Sequence, residues 1–367
     1  MTKKYINEIE KKQRNNKPVY YDSIDGLRAI ACLGIILMHI KANTDYQLNG
    51  NYVFDKIIPS MTWFVYLFLM ISGFGMCVGY LEKFQTGVIN IEEFYKKRYI
   101  KVLPFFSMLI LIDLVVEHNV SAIYEASIEI LLLHGLLPNN TVSVIGVSWT
   151  LGVIFLFYLL FPAFSIIVKS KKRAWISLII SLWVTFACKK YFFSNFFVAE
   201  SFTPRHNFLY CCPMFIGGAI VYLYRVEIKK ICECYRWLVL IICLLGLVFW
   251  NLIPATSGMP FYIMSLLMFS GWIVYAVGVK SKFLSSKPMK FLSGISLEMY
   301  LAQMVIFSVV KKLHLIYVFG DTGIGGWFSL LFGFVLTVIG LICFIYCYKF
   351  VLFFLKVKIR QFRHTGE

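Results

Sequence analysis

The chain has 367 residues, of which 59% are hydrophobic and 18% aromatic, whereas only 15% are charged. Soluble domains carry about 25% charged residues, so this composition excludes a water-soluble globular protein. The formal net charge of +17 is gathered in short segments between apolar runs, which favours contact with anionic lipid headgroups over binding of nucleic acid.

Ten apolar segments are each long enough to cross a bilayer as a helix, which takes about 18 or more residues. In chain order they cover residues 24–41, 60–80, 99–117, 147–168, 174–190, 206–225, 235–252, 259–279, 290–310 and 326–355. The first follows a basic segment and has no small-residue cleavage site after it, so we expect it to remain as a membrane anchor.

An eleventh, shorter apolar segment at residues 121–137 decides the topology. Loops rich in lysine and arginine should lie on the cytoplasmic side, and a crossing at 121–137 would force the basic cluster at 169–173 outside. The segment is therefore predicted to be an interfacial or re-entrant helix, with Glu125, Glu129 and His134 at helical spacing.

These elements predict an all-α, polytopic membrane helical bundle with about ten transmembrane helices and one short re-entrant or interfacial helix. We expect it in the plasma membrane with both termini cytoplasmic. The predicted organisation is a basic N-terminal segment at 1–23, one transmembrane domain at 24–356 and a basic tail at 357–367.

Small residues and cysteines are interpreted as packing residues. Gly75 and Gly79, Gly217 and Gly218, and Gly271 and Gly278 are spaced for close helix contacts. The ten cysteines lie mostly inside apolar runs and lack the spacing of zinc ligands, so no metal site is predicted.

The first span carries ionisable residues, which are expensive in a membrane and so indicate function. Asp22 or Ser23 can cap this helix, and Asp25 in its first turn can pair with Arg28. His39 lies eleven residues after Arg28, which is three helical turns plus roughly 20°, so both side chains are predicted to share one face.

Each of these two residues also has a plainer interpretation. Arg28 can be a snorkelling side chain paired with Asp25, and His39 can be a structural or interfacial histidine. The shared face favours function, because a neutral imidazole can take a proton from a hydroxyl and return it, as acyl transfer to an alcohol requires.

The first span resembles that of the acyltransferase-3 family of bacterial membrane O-acyltransferases. An arginine followed by ten residues and a histidine, here Arg28 and His39, looks like the family's catalytic signature. Further stretches are similar to family blocks in order, namely 68–74, 94–104 and 149–162. Two positions depart from the pattern: Ile154 or its neighbours stand where a glutamate is common, and Gln303 stands where a histidine is common.

The resemblance implies a cytoplasmic acyl-CoA donor, usually acetyl-CoA, and a carbohydrate or lipid-linked sugar acceptor on the other side of the membrane. No permanently bound cofactor is expected. Arg28, Arg98, Lys97 and Lys101 would meet the anionic nucleotide end of the donor, and His39 would act as general base.

Other polar residues are candidates for contact with substrate, alongside Asp25. Ser72 can bind substrate or bond back to its own helix. Arg205 and His206 can contact the acceptor or form an interfacial cap, and Glu298 should have a partner because it is costly to bury.

Two other function classes remain open. A transporter or flippase for a lipid-linked glycan would use Arg28 and His39 to line a polar pathway without bond chemistry, and paired broken helices would favour it. A membrane sensor without catalysis is the third reading, raised by the two departures from the family pattern.

Overall fold

The computed structural model describes residues 20–117, 120–136, 145–194, 196, 198 and 202–365. These residues are mainly helical, and the pairing of extended backbone among them is limited to one isolated bridge between Gln47 and Thr322. The predicted all-α class is therefore confirmed.

Within those ranges, twelve α-helices have eight or more residues. We number them α1 (Asp22–Ala42), α2 (Phe64–Met76), α3 (Ile91–Glu117), α4 (Val120–Ile130), α5 (Trp149–Ile167), α6 (Lys171–Ala187), α7 (Phe208–Leu223), α8 (Arg225–Leu252), α9 (Met259–Gly278), α10 (Lys287–Gly294), α11 (Ser296–Lys312) and α12 (Gly323–Thr365).

Each of the ten predicted spans corresponds to a helix or helix pair. Eight of the described helical segments are long and apolar enough to cross a membrane, and α10 with α11 forms a ninth if that bent pair is one span. The tenth is α7, which is apolar but has only 16 residues. The chain is thus a multi-pass membrane protein.

The second span is longer than predicted, because helical turns extend α2 to Val53–Gln85. It includes wider π-helical turns at Val53–Ile57 and Cys77–Leu81 and a tighter 3-10 turn at Met61–Trp63. Single π turns inside a helix are often found at functional sites.

The ninth span differs from the single segment predicted at 290–310. Helices α10 and α11 are bent by 71°. Gly294 ends the first, and Ile295 between them has φ −120° and ψ 10°, outside the helical range. The apolar pattern continues through this break, which is why the sequence did not indicate it.

The short helix predicted at 121–137 is α4, which ends earlier, at Ile130. At about 1.5 Å per residue its 11 residues cannot cross a bilayer. Leu132 has φ +57°, and His134 lies in a separate 3-10 turn. The predicted helical spacing therefore holds for Glu125 and Glu129, whereas His134 lies beyond the end of α4.

The chain divides into two compact units. The first comprises residues 1–28 and 65–290, and the second comprises residues 29–64 and 291–367. The boundaries of the predicted domains at 23 and 356 are not tested by this division and stay predictions.

In the first unit, glycines allow helices α2 and α7 to approach closely. A Cβ atom added to Gly73 would meet the carbonyl of Phe215, and one added to Gly218 would meet the carbonyl of Met70. Gly217 and Gly218 thus pack as predicted. Gly75 and Gly79 do not, because no atom lies within 4 Å of a Cβ built on either. They lie on α2 away from the α7 contact.

In the second unit, helices α1 and α11 run in the same direction. The Cys32 thiol donates to the Ser296 carbonyl at 3.5 Å near the start of α11. The Lys311 ammonium, at the end of α11, donates to the Asn43 carbonyl just after α1 at 2.8 Å. Two contacts in the same order along both helices fix this parallel arrangement.

Candidate functional site

The first turns of α1 hold the predicted pair of Asp25 and Arg28. The Arg28 guanidinium lies 3.2 Å from the Asp25 carboxylate, which confirms the pairing. The Arg28 side chain is 33% exposed, whereas that of Asp25 is 10% exposed. Tyr20 donates to the other carboxylate oxygen, and this hydrogen bond to Asp25 raises the pKa of Tyr20 to about 12.

The start of α1 is fixed against residues 279–290 of the first unit, which lead into α10 and include its first residues. Asp22 forms an ion pair of 2.8 Å with Lys290. The Ser23 hydroxyl, predicted as a possible helix cap, donates instead to the Val279 carbonyl at 3.0 Å. A Cβ atom on Gly26 would overlap the backbone of Leu284. These contacts hold the Asp25 and Arg28 turn in place.

His39 lies in the last turn of α1 and is half-buried. Its carbonyl accepts hydrogen bonds from the backbone and side-chain amides of Asn43, at 3.1 and 2.8 Å. These bonds occupy a carbonyl at the helix end that has no partner within the helix. The backbone that carries the imidazole is thereby fixed.

Glu298 in α11 has the partner that its burial required. The Lys349 ammonium lies 3.9 Å from its carboxylate, and both residues belong to the second unit. Glu298 is thus neutralised by a cation on α12.

Arg98 in α3 lies within a cage of aromatic rings. Its guanidinium carbon lies 4.7 Å from the ring centre of Tyr80, 5.5 Å from that of Tyr158 and 5.8 Å from that of Phe94. Arg98 also donates to the Tyr80 hydroxyl. Stacking on rings holds a guanidinium in a fixed orientation.

The cage was not predicted, although Phe94 is four residues before Arg98 on the same helix and gave a local signal. Lys101 lies one turn after Arg98 on α3, on the same helix face, and is exposed. Lys97 is exposed and pairs with Glu93 at 3.4 Å. Arg98 is therefore the least exposed of the three cations.

Ser72 in α2 is half-buried. Among the described residues its hydroxyl has no hydrogen-bond partner, so the bond back to its own helix, one of the two alternatives, is not formed. A bond between this hydroxyl and a substrate is not tested by the structure.

Arg205 and His206 both contact Trp149 at the start of α5. The His206 imidazole stacks on the Trp149 indole at a ring distance of 4.3 Å and an angle of 20°. The Arg205 guanidinium lies 5.4 Å from the Trp149 ring centre. Asn207, and not Arg205 or His206, caps α7 by accepting from Leu209. We call Trp149, Arg205 and His206 the aromatic plate.

The electrostatics of the aromatic plate keep its imidazole neutral. Burial lowers the pKa of His206 to about 3, and the positive charge of Arg205 acts in the same direction. A neutral imidazole can both donate and accept hydrogen bonds. The plate therefore combines a cation with a neutral imidazole, both of which can form hydrogen bonds to a hydroxylated compound.

A second polar cluster, next to the plate, was not predicted. The Ser148 hydroxyl donates to the Glu129 carboxylate at 2.6 Å, and the Ile145 amide lies 3.4 Å from both of its oxygens. The His134 imidazole bonds to the Ser148 carbonyl at 3.1 Å. Glu129, His134 and Ser148 are all buried.

This cluster ties the chain after α4 to the residue that precedes Trp149. Burial raises the pKa of Glu129 to about 7 and lowers the pKa of His134. A carboxylate within a short apolar helix was only a weak sequence signal of this cluster. No three His, Cys, Asp or Glu side chains converge as metal ligands in the part of the chain that the structure describes.

Comparison with known proteins identifies the family. A family model for an acyltransferase domain, that of the acyltransferase-3 family, matches residues 21–348, nearly the whole chain. Comparison with curated proteins and with solved structures gave no match. The match includes the first helix, the Arg98 cage and the aromatic plate. The chain therefore belongs to the acyltransferase-3 family and is a membrane acyltransferase.

Proposed function

We propose that the protein is an O-acyltransferase of the plasma membrane. It moves an acyl group, acetyl in this proposal, from cytoplasmic acyl-CoA to a hydroxyl of an extracytoplasmic or lipid-linked glycan. Both termini are cytoplasmic, because this orientation places the basic loops on the inner side. Family membership supports acyl transfer, and the residues of α1 support the direction of transfer.

The observation that carries the proposal is the unbroken helix α1, Asp22–Ala42. On a continuous helix the eleven-residue spacing puts Arg28 and His39 on nearly the same face, about 16 Å apart along the axis. Arg28 would then meet an anion near the cytoplasmic surface, while His39 acts deeper in the membrane.

Acyl transfer requires that one proton leave the acceptor hydroxyl and that one proton reach the departing CoA thiolate. Neutral His39 removes the proton from the acceptor hydroxyl as its oxygen attacks the thioester carbonyl carbon. The carbon–sulfur bond breaks, the new ester forms, and the imidazolium returns the proton to the CoA thiolate. Asp25 contributes by orienting Arg28, which it contacts at 3.2 Å.

The donor phosphates are assigned to Arg98, with Lys101 and Lys97 around it. A guanidinium held by rings is suited to bind phosphate, because its orientation is fixed before the ligand arrives. Lys97 contributes least, since its exposed pair with Glu93 is screened by solvent.

The acceptor is assigned to the aromatic plate, at the end of α5 that the proposed topology places outside. Hydroxyl groups suit the neutral His206, and Arg205 suits an acidic sugar. Ser72 and Glu298 stay in the proposal as further substrate-site residues, the latter through its pair with Lys349.

The test is acetylation of the host's surface glycan, measured by mass spectrometry with the gene deleted and restored. We expect His39→Ala, expressed at the wild-type level, to leave the glycan unacetylated. The control is His314→Asn, a loop histidine with φ +56°, a conformation that asparagine tolerates; it should restore acetylation fully. Acetylation by His39→Ala would rule out His39 as the base.

A specific observation keeps glycan transport as a second candidate. The bend of 71° between α10 and α11 is a broken span in the second half of the chain, and such helices line transport pathways. Purified protein that moves a lipid-linked glycan across vesicles and never consumes acyl-CoA would favour transport.

A further inference from the structure

Gln303 in α11 has a buried oxygen that no described residue satisfies. The side chain is 1% exposed, and its amide nitrogen donates to the Tyr300 carbonyl at 2.9 Å. The Gln303 Oε1 atom is buried and accepts no hydrogen bond from the part of the chain that the structure describes. Buried polar atoms are usually paired, so an exception requires an explanation.

The parallel packing of α1 and α11 in the second unit places Gln303 at the level of His39. Cys32 contacts Ser296, as described above. His39 follows Cys32 by seven residues, and Gln303 follows Ser296 by seven residues. Seven residues are two helical turns, so both positions return to the facing sides after a rise of about 10 Å.

The second contact between the helices supports this register. Asn43 lies eleven residues after Cys32, while Lys311 lies fifteen after Ser296 and reaches back with a long side chain. Interpolation between the two contacts puts His39 opposite residues 303 to 306. Gln303 is the polar residue within this turn of α11.

We propose that Gln303 Oε1 is a substrate-binding acceptor, which takes a hydrogen bond from an N–H or O–H group of the substrate held beside His39. This inference rests on the proposed acyl transfer. It adds a residue to the reaction site and names the chemistry that the residue recognises, a neutral hydrogen-bond donor.

Two substrate groups have this chemistry. The pantetheine arm of acyl-CoA carries amide N–H groups close to the sulfur, and the glycan acceptor carries hydroxyls next to the one that reacts. A hydrogen bond to the donor would appear in the KM for acyl-CoA, and one to the acceptor in the KM for glycan. The kinetic experiment thus distinguishes the two.

Because Gln303 Oε1 has no hydrogen-bond partner among the described residues, stability and kinetics together distinguish a substrate-binding role of Gln303 from a structural one. Replacing Gln303 with leucine removes an unsatisfied buried acceptor, so it should destabilise the fold less than the loss of a fully paired amide would. Both replacements also lose the local bond from the Gln303 amide nitrogen to the Tyr300 carbonyl, and Thr337→Val, which loses a similar bond within its own helix, measures the cost of that loss.

The experiment compares wild type, Gln303→Leu and Gln303→Met in purified, detergent-solubilised protein. Thermal unfolding and the two KM values are measured for each. The matched control is Thr337→Val on α12, which removes a buried hydroxyl that donates to Gly333 of its own helix at 2.7 Å. Methionine keeps the length of glutamine without a strong acceptor, so it tests for a simple packing defect.

We expect both Gln303 variants to unfold at a temperature no lower than that of Thr337→Val and to raise one KM about tenfold, the size of one hydrogen bond. Thr337→Val should leave both KM values unchanged. Unchanged KM values in both Gln303 variants, or a loss of stability without a kinetic effect, would overturn the inference while wild type still transfers acyl groups. A wild type that consumes no acyl-CoA would overturn the proposed function together with it.

Discussion

Replacing Glu129 with glutamine tests the buried cluster that joins α4 to the start of α5. The Glu129 carboxylate accepts from Ser148 at 2.6 Å, and a glutamine oxygen can accept the same bond. The negative charges of Asp113 on α3 and Glu125 on α4 also raise the pKa of Glu129. The His134 imidazole bonds to the carbonyl of Ser148. The substitution therefore removes an ionisable group while it keeps the shape.

The magnitude follows from the pKa. Burial raises the pKa of Glu129 from 4.5 to about 7, a difference that corresponds to about 3 kcal/mol in the free energy of unfolding. Between these values the folded protein binds more protons than the unfolded chain. The stabilisation is complete below pH 4.5, declines as the pH rises and is lost above pH 7.

The assay is thermal unfolding of purified protein in detergent at pH values from 5 to 8. The unfolding temperature of wild type should fall more steeply with rising pH than that of Glu129→Gln. Because burial lowers the pKa of both His134 and His206 in either protein, the difference between the two curves isolates Glu129.

Glu92→Gln serves as the control, since Glu92 is exposed in the first turn of α3. Its curve should be parallel to that of wild type. A Glu129→Gln curve parallel to wild type over the whole range would refute the reasoning about burial.

Further predictions address packing, the aromatic plate, the donor site and topology. Gly218→Ala should destabilise the protein by about 1–3 kcal/mol, because the added methyl group would overlap the Met70 carbonyl. Gly79→Ala, with open space around it, should be neutral or slightly stabilising. Equal effects of the two substitutions on stability would contradict the packing. The His206 imidazole should not titrate in NMR spectra between pH 5 and 8, since burial lowers its pKa to about 3. Arg98→Gln should raise the KM for acyl-CoA about tenfold with kcat unchanged, and an unchanged KM would remove Arg98 from the donor site. Because the C-terminus is predicted to be cytoplasmic, a fluorescent protein fused to it should fluoresce; a dark fusion would contradict the proposed topology.

Much of the fold was predictable because membrane helices consist of long apolar runs that are visible in the sequence. All ten predicted spans have helices, and the positive-inside argument separated the short helix α4 from them. The predictions that failed concern contacts between segments that are distant in sequence. Gly75 and Gly79 have the spacing of packing residues, yet it is Gly73 and Gly218 that meet a facing backbone. Spacing alone does not say which face of α2 meets a neighbour.

The local part of the candidate site was also predictable. Asp25 and Arg28 are one turn apart, so helical geometry sufficed to pair them. Trp149 and His206 are 57 residues apart in sequence and stack only in the folded chain. Gln303 stood out in sequence as a departure from the family pattern, and only the structure showed that its oxygen is buried and unsatisfied.

The most direct test of the central claim is acyl transfer by purified protein in vesicles that hold labelled acetyl-CoA inside and a glycan acceptor outside. The account predicts labelled ester on the outer glycan with wild type and none with His39→Ala, although both proteins bind acetyl-CoA. Transfer by His39→Ala at the wild-type rate would contradict it.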